Sequence, residues 1–271
     1  MRNTQEQNLE NQLHNIEYAT IFNFQPWLKK TADTLDGTLQ WPTKLFYSLL
    51  KKGKIKAVPV YPVESKLWRY NTFYCPTDSK VQPIGSRMVM HQSGLRDILL
   101  AFTFLYPQYD VQIKHEPCYK KNVGGKTFTY RPDALVTMIK KDATKKRYDF
   151  IVEFERTKEP LDIKKNKLDK LEAFGSFKQF GLSDHVKILI VFTYHKYNVY
   201  WRPIEYSNPT IQAEISAVQN RMDTLLSYAR RYDRNKYRFL PFNDFYRLNE
   251  YVWYKPGGEK TGLLQGEATL V

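Results

Sequence analysis

Residues 130–155 read YRPDALVTMIKKDATKKRYDFIVEFE. Two apolar runs, Ala134-Leu135-Val136 and Phe150-Ile151-Val152, flank a lysine-rich turn and read as β-strands. Asp133 opens the first run, while Glu153 and Glu155 close the second. Residues two apart on a strand share a face, so Glu153 and Glu155 project together. Two adjacent carboxylates repel each other, and burying them is costly unless a cation, a metal ion or open solvent compensates. A strand with one wet face is the plain structural alternative.

Working outward, GLRDILLAFTFLY (94–106) has the pattern of an apolar helix, and VQIKHEPCYK (111–120), FTYRPDALVTMIK (128–140) and YDFIVEFER (148–156) read as three strands. Gly124-Gly125 marks a hairpin turn. LDIKKNKLDKLEAFGSFKQF (161–180) then reads as a helix and VKILIVFTY (186–194) as a buried strand, which gives the order αβββαβ. A further helix (211–231) and an aromatic segment complete this block. An Asp on the second strand and two acids on the adjacent third can converge at one sheet edge. Hard oxygen ligands of that kind suit Mg²⁺ or Mn²⁺, which holds a scissile phosphate and lowers the pKa of an attacking water.

An earlier block spans about residues 21–74. FQPWLKKTADTL and LQWPTKLFYSLLKKGKI carry helical spacing, with Pro42 early in the second and Gly53 at its end. IKAVPVYPV and KLWRYNTFYC flank Glu64-Ser65 and read as a hairpin. Helix, turn, helix and hairpin in that order look like a winged helix-turn-helix with residues 43–52 as recognition helix. Lys44, Lys51, Lys52, Lys54, Lys56 and Arg69 would face phosphate, with Tyr47 beside them. A small packing domain with a solvated lysine face is the alternative.

A formal charge of +14 and 15% aromatic residues favour a polyanionic partner, here DNA. Two cysteines, Cys75 and Cys118, make neither a disulfide framework nor a thiolate zinc site. The five histidines form no HxH or HxxxH pair, and neither a Walker A loop nor a dinucleotide-binding glycine fingerprint occurs. No run is apolar and long enough to span a bilayer, so the expectation is a soluble, cytoplasmic protein without membrane insertion.

The Pro132-Asp133 pair and the Glu153-Phe154-Glu155 strand resemble the PD-(D/E)xK nuclease superfamily over about residues 94–194. Glu155 stands where that pattern has lysine. The resemblance implies Asp133, Glu153 and Glu155 as catalytic metal ligands. The missing positive charge falls to Lys170, which shares a helix face with Phe174, to Arg156 or Lys158, or to a second metal at Glu155. Tyr130 is the tyrosine nearest the acids. The winged helix placed first, the RPDA and ExE elements and the K-L-x-x-aromatic helix are similar to the replication-relaxation group and to MobC-class conjugative relaxases.

That resemblance implies an N-terminal winged helix-turn-helix followed by a restriction-endonuclease-like αβββαβ domain with a mixed central sheet. The expected organisation is a polar segment at 1–20, the winged helix at 21–80, a linker at 81–88, the nuclease-like domain at 89–255 and a flexible tail at 256–271. The implied activity is Mg²⁺- or Mn²⁺-dependent nicking at the transfer origin of a plasmid or integrative element, with relaxosome and coupling proteins as accessory partners. A non-cleaving replication or transcription factor and a double-strand endonuclease of restriction or transposon-end type stay open beside it.

Overall fold

A computed structural model describes residues 2–20, 23–24, 27, 41–58, 60–61, 72–85, 88–123, 125–156, 160–183, 185–193, 209–241 and 247–264. Arg69, Lys158, the Glu64-Ser65 turn and most of the helix expected from residue 24 lie outside them. The chain divides into two compact units, Met1–Phe104 and Leu105–Val271. It is a mixed α and β protein whose second unit is built on a mixed-strand sheet flanked by helices.

The first unit opens with helix α1, Arg2–Ile16, where the sequence reading expected an unstructured polar segment. Leu9, Leu13 and Ile16 are buried. Their spacing is a helical stripe too sparse to stand out among the surrounding Gln and Asn residues. β1 (Ala19–Thr20) pairs antiparallel with β4 (Phe73–Pro76), which pairs on its other side with β2 (Ile55–Ala57). Between them α2, Trp41–Lys51, buries Leu45, Phe46 and Leu49 and exposes Lys44 and Tyr47. Gly53, at φ +66°, ends this helix in a conformation that glycine adopts without strain. A short parallel pair joins β3 (Val60–Tyr61) to β5 (Ile84–Gly85).

Helix α3, Val89–Leu105, buries polar residues on its first turns. Asp97 Oδ1 accepts from Asn23 Nδ2 at 2.7 Å, Arg96 lies over the Tyr18 ring, and Tyr18 Oη donates to Gln92 Oε1 at 2.8 Å. These buried bonds tie the helix to the first unit, whereas its apolar sequence alone grouped it with the strands that follow.

The second unit carries a seven-stranded sheet in the order β14 (Lys260–Thr261), β13 (Trp253–Tyr254), β12 (Tyr237–Pro241), β11 (Lys187–Thr193), β10 (Arg147–Arg156), β9 (Ala134–Lys140) and β6 (Tyr109–His115). β6, β9 and β10 run antiparallel in turn, while β10, β11 and β12 run parallel. The parallel steps are crossed by α4, Leu161–Phe174, and α5, Pro209–Tyr228. Strands at the centre of such a sheet are covered on both faces, hence the unbroken apolar runs of β10 and β11.

Two of the expected strands are each broken. Pro117 and Pro132 cannot donate to a ladder, and at these breaks the chain leaves the large sheet to form a separate hairpin, β7 (Tyr119–Val123) with β8 (Lys126–Tyr130). Its turn is at Gly125, φ +77°, beside Gly124, as the sequence indicated. The expected flexible tail is corrected in part. Gly257 and Gly258, at φ +98° and +91°, turn the chain so that β14 (Lys260–Thr261) pairs with β13 (Trp253–Tyr254), and Leu263 is buried. No helix among the described residues is long and apolar enough to cross a membrane.

Candidate catalytic site

Glu153 and Glu155 leave the same face of β10, as alternation requires, and both are buried, at 2% and 5% exposure. That face also carries Ile190 of β11 and is covered by Leu168 and Leu171 of α4 and Leu225 of α5. The wet-strand alternative therefore fails, and the compensation comes from α4. Lys167 Nζ lies 2.5 Å from Glu153 Oε2 and 3.4 Å from Glu155 Oε1, and Lys164 pairs with Glu155 Oε2.

Asp133 joins them from the strand break. Pro132 ends the β8 side, and one residue before β9 the Asp133 carboxylate accepts the Phe154 amide at 2.7 Å, so a side chain continues the ladder between the two glutamates. The Asp133 carbonyl accepts Glu116 N at 3.1 Å across the same break. Tyr130, the last residue of β8, donates its hydroxyl to Glu153 Oε1 at 2.5 Å. Its ring packs with Phe174 and Phe177, whose centroids are 6.1 and 5.9 Å away.

The electrostatics follow from burial. Glu153 is pushed above the ordinary carboxylate range mainly by desolvation, with the Asp133 charge adding and Lys167 opposing. The Lys164 ammonium is pulled down to about 8 by burial, with Lys167 adding and Glu153 and Asp133 opposing. Burial and the Glu153 carboxylate hold the Tyr130 phenol well above its usual value, so it serves as a hydrogen-bond donor. Two carboxylates and two ammonium groups, Glu153, Glu155, Lys164 and Lys167, thus share one low-dielectric pocket, with the Asp133 charge acting on Glu153. Among the described residues, no three Asp, Glu, His or Cys side chains are gathered as a metal cage.

The structure places Glu153 and Glu155 on one strand face, with Tyr130 bonded to Glu153 and Asp133 bonded to the Phe154 amide between them, and Phe174 buried behind Tyr130. It leaves Lys170 exposed. Lys164 and Lys167, which the sequence reading passed over, are the cations in contact. A signal for them existed, since stepping back four residues from Leu168 and Leu171 along the apolar stripe reaches these two positions. The Arg156 side chain lies outside the described residues.

In the first unit Lys44, Tyr47 and Lys51 on α2 are exposed, Tyr47 at 62%. Lys52 pairs with Glu6, Lys54 lies 3.5 Å from Glu10, and Lys56 Nζ donates to the carbonyls of Thr77 and Ser79, each at 2.8 Å. No protein-family model, curated protein or solved structure matches this chain.

Proposed function

We propose that the second unit is a metal-dependent phosphodiesterase that nicks DNA and that the first unit is a winged helix holding the duplex. The observation that carries the reading is the pair Glu153 and Glu155 under a lysine-bearing helix face, with Asp133 bonded to the Phe154 amide between them at the strand break beside Pro132. Within the second unit the order from β6 to β11, three sheet strands, helix and strand, supports a PD-(D/E)xK-like core around it. The first unit supports a winged helix through its order of α1, β1, α2, β2 and β4 and its sheet order β1-β4-β2.

Asp133 and Glu153 share a field and offer hard oxygens, which suits Mg²⁺ or Mn²⁺, ions that keep several waters and need only one or two carboxylates. Such an ion supplies charge neutralisation at the phosphate and an acidified water. Tyr130 fixes the rotamer of Glu153 by holding Oε1. Lys167, held between Glu153 and Glu155, supplies the cation that the strand lacks at Glu155 and is the group to meet the phosphate oxygens, while Lys164 pairs with Glu155. Nicking at a transfer origin is the specific activity that the RPDA and ExE elements suggest.

A second reading, a DNA-binding protein that does not cut, draws on the neutralisation of both glutamates by lysine. The experiment is incubation of the full chain with supercoiled plasmid carrying its neighbouring DNA, in Mg²⁺, Mn²⁺ or EDTA. Open circles that require metal and vanish in Asp133→Ala and Glu153→Ala support nicking. Linear product assigns a double-strand cutter, and retarded but intact plasmid overturns cleavage in favour of binding.

A further inference from the structure

The β7–β8 hairpin is separate from the seven-stranded sheet, and a two-stranded ribbon is marginal unless one of its faces is packed. Its inner face is packed. Tyr119 is buried, with its ring centroid 5.0 Å from that of Phe180 and 5.5 Å from that of Phe177, and Tyr130, paired with it across the hairpin, donates to Glu153. Lys121 Nζ donates to the Phe174 carbonyl at 2.7 Å, at the C-terminal end of α4, where a cation is favoured. The ribbon is thus fixed to the end of α4 and, through Tyr130, to the candidate catalytic site.

Alternation turns Lys120, Asn122, Thr127 and Thr129 to the other face. All four are exposed, as is Arg131 just past the end of β8. Lys120 lies opposite Thr129, and Asn122 lies opposite Thr127, whose hydroxyl donates to Asn122 Oδ1 at 2.7 Å. From Pro117 to Pro132 the chain holds four basic residues, Lys120, Lys121, Lys126 and Arg131, and no acid. The Lys126 side chain lies outside the described residues, and Lys121 is turned inward onto a neutral carbonyl. Lys120 and Arg131 make no ion pair among the described residues. The nearest acids along the chain are Glu116, which is exposed, and Asp133, which accepts the Phe154 amide.

We propose that this outer face seats the phosphate backbone of a DNA duplex beside the Tyr130–Glu153 contact. Lys120 and Arg131 neutralise phosphates, and the short Thr129, Thr127 and Asn122 side chains donate to phosphate oxygens without holding the backbone away. A two-stranded ribbon is also narrow enough to enter the major groove. Such a surface presupposes that the second unit acts on DNA, as proposed above, and it gives that unit substrate contacts of its own.

The test is fluorescence anisotropy of a labelled duplex with the full chain in EDTA over a series of salt concentrations, so that binding is read without cleavage. Lys120→Gln/Arg131→Gln should bind about tenfold more weakly, with the slope of log K against log salt smaller by about 2. Thr129→Glu, an exposed change that sets a carboxylate against phosphate, should weaken binding to a similar extent, and it decides the matter if the double variant fails to fold. Lys145→Gln/Lys260→Gln removes the same charge at two other exposed positions, in the turn before β10 and on β14 at the opposite sheet edge from β6. It should bind within about twofold of the natural chain. Equal losses in the two double variants, or unchanged binding by Thr129→Glu, overturn the seating surface while leaving DNA as the substrate. A natural chain that binds no duplex at low salt overturns the surface and the DNA reading together.

Discussion

Lys167 touches both glutamates of β10, whereas Lys170, one turn further along α4, faces solvent. If Lys167 stabilises the charge on a phosphate in flight, Lys167→Ala slows single-turnover nicking of saturated complex by about 10²-fold, roughly 3 kcal/mol. Lys170→Ala stays within about threefold, less than ~1 kcal/mol. Equal rates for the two variants would remove Lys167 from the chemistry. Lys187 gives a residue-level prediction for stability. Its ammonium is pulled from 10.5 to about 8 in the folded state, so between those values the unfolded chain holds a proton that the native chain has released. Stability therefore rises with pH across that window, and below it the cost of the buried charge is present in full. Lys187→Met should be more stable than the natural chain at pH 7, by about 1 kcal/mol after allowance for partial exposure. The difference should close as pH approaches 10.5, which urea unfolding at a series of pH values measures.

At the scale of elements, α1 tests what the sequence concealed. Leu13 is wholly buried in a helix whose other positions are mostly polar. Leu13→Ala should cost about 2–5 kcal/mol, seen as a lower urea midpoint for the first unit, where a loose polar segment would give no change. The stripe was hard to read because three apolar residues over two turns lie close to what a solvated Gln/Asn-rich segment carries by chance. β10 and β11 were legible because central strands need apolar residues on both faces, and the acids inside such a run were conspicuous for the same reason. The breaks in the two strands before β10 were harder to see. Pro117 and Pro132 were visible, but nothing local to either shows that the two lie opposite each other in paired strands, and that pairing releases the β7–β8 hairpin. The same limit hid Lys164 and Lys167. The helix was evident, but the rotation of its face toward Glu153 and Glu155 depends on how α4 packs on the sheet.

For the whole molecule, a formal charge of +14 favours polyanions without sequence preference, so under the proposed function the informative quantity is where the salt dependence of DNA binding resides. The lysines of the first unit fall into two groups. Lys52, Lys54 and Lys56 are engaged by Glu6, Glu10 and the Thr77 and Ser79 carbonyls, so their charges are partly spent within the unit. Lys44 and Lys51 are exposed on α2 beside the exposed Tyr47 ring. If α2 is the helix that meets the duplex, the Lys44→Ala/Lys51→Ala chain loses two phosphate contacts and the slope of log K against log salt shrinks by about 2. Cleavage at saturating DNA should stay near the natural rate, because neither lysine belongs to the second unit. Replacing Lys56 should instead lower stability, through loss of its two carbonyl contacts, and change the slope little. The contrasting double variant is Lys114→Ala/Lys120→Ala, two exposed lysines on the strands leading to and forming the β7–β8 hairpin. A slope that drops in this variant and not in the α2 variant would move the DNA contact to the second unit and end the winged-helix reading of the first.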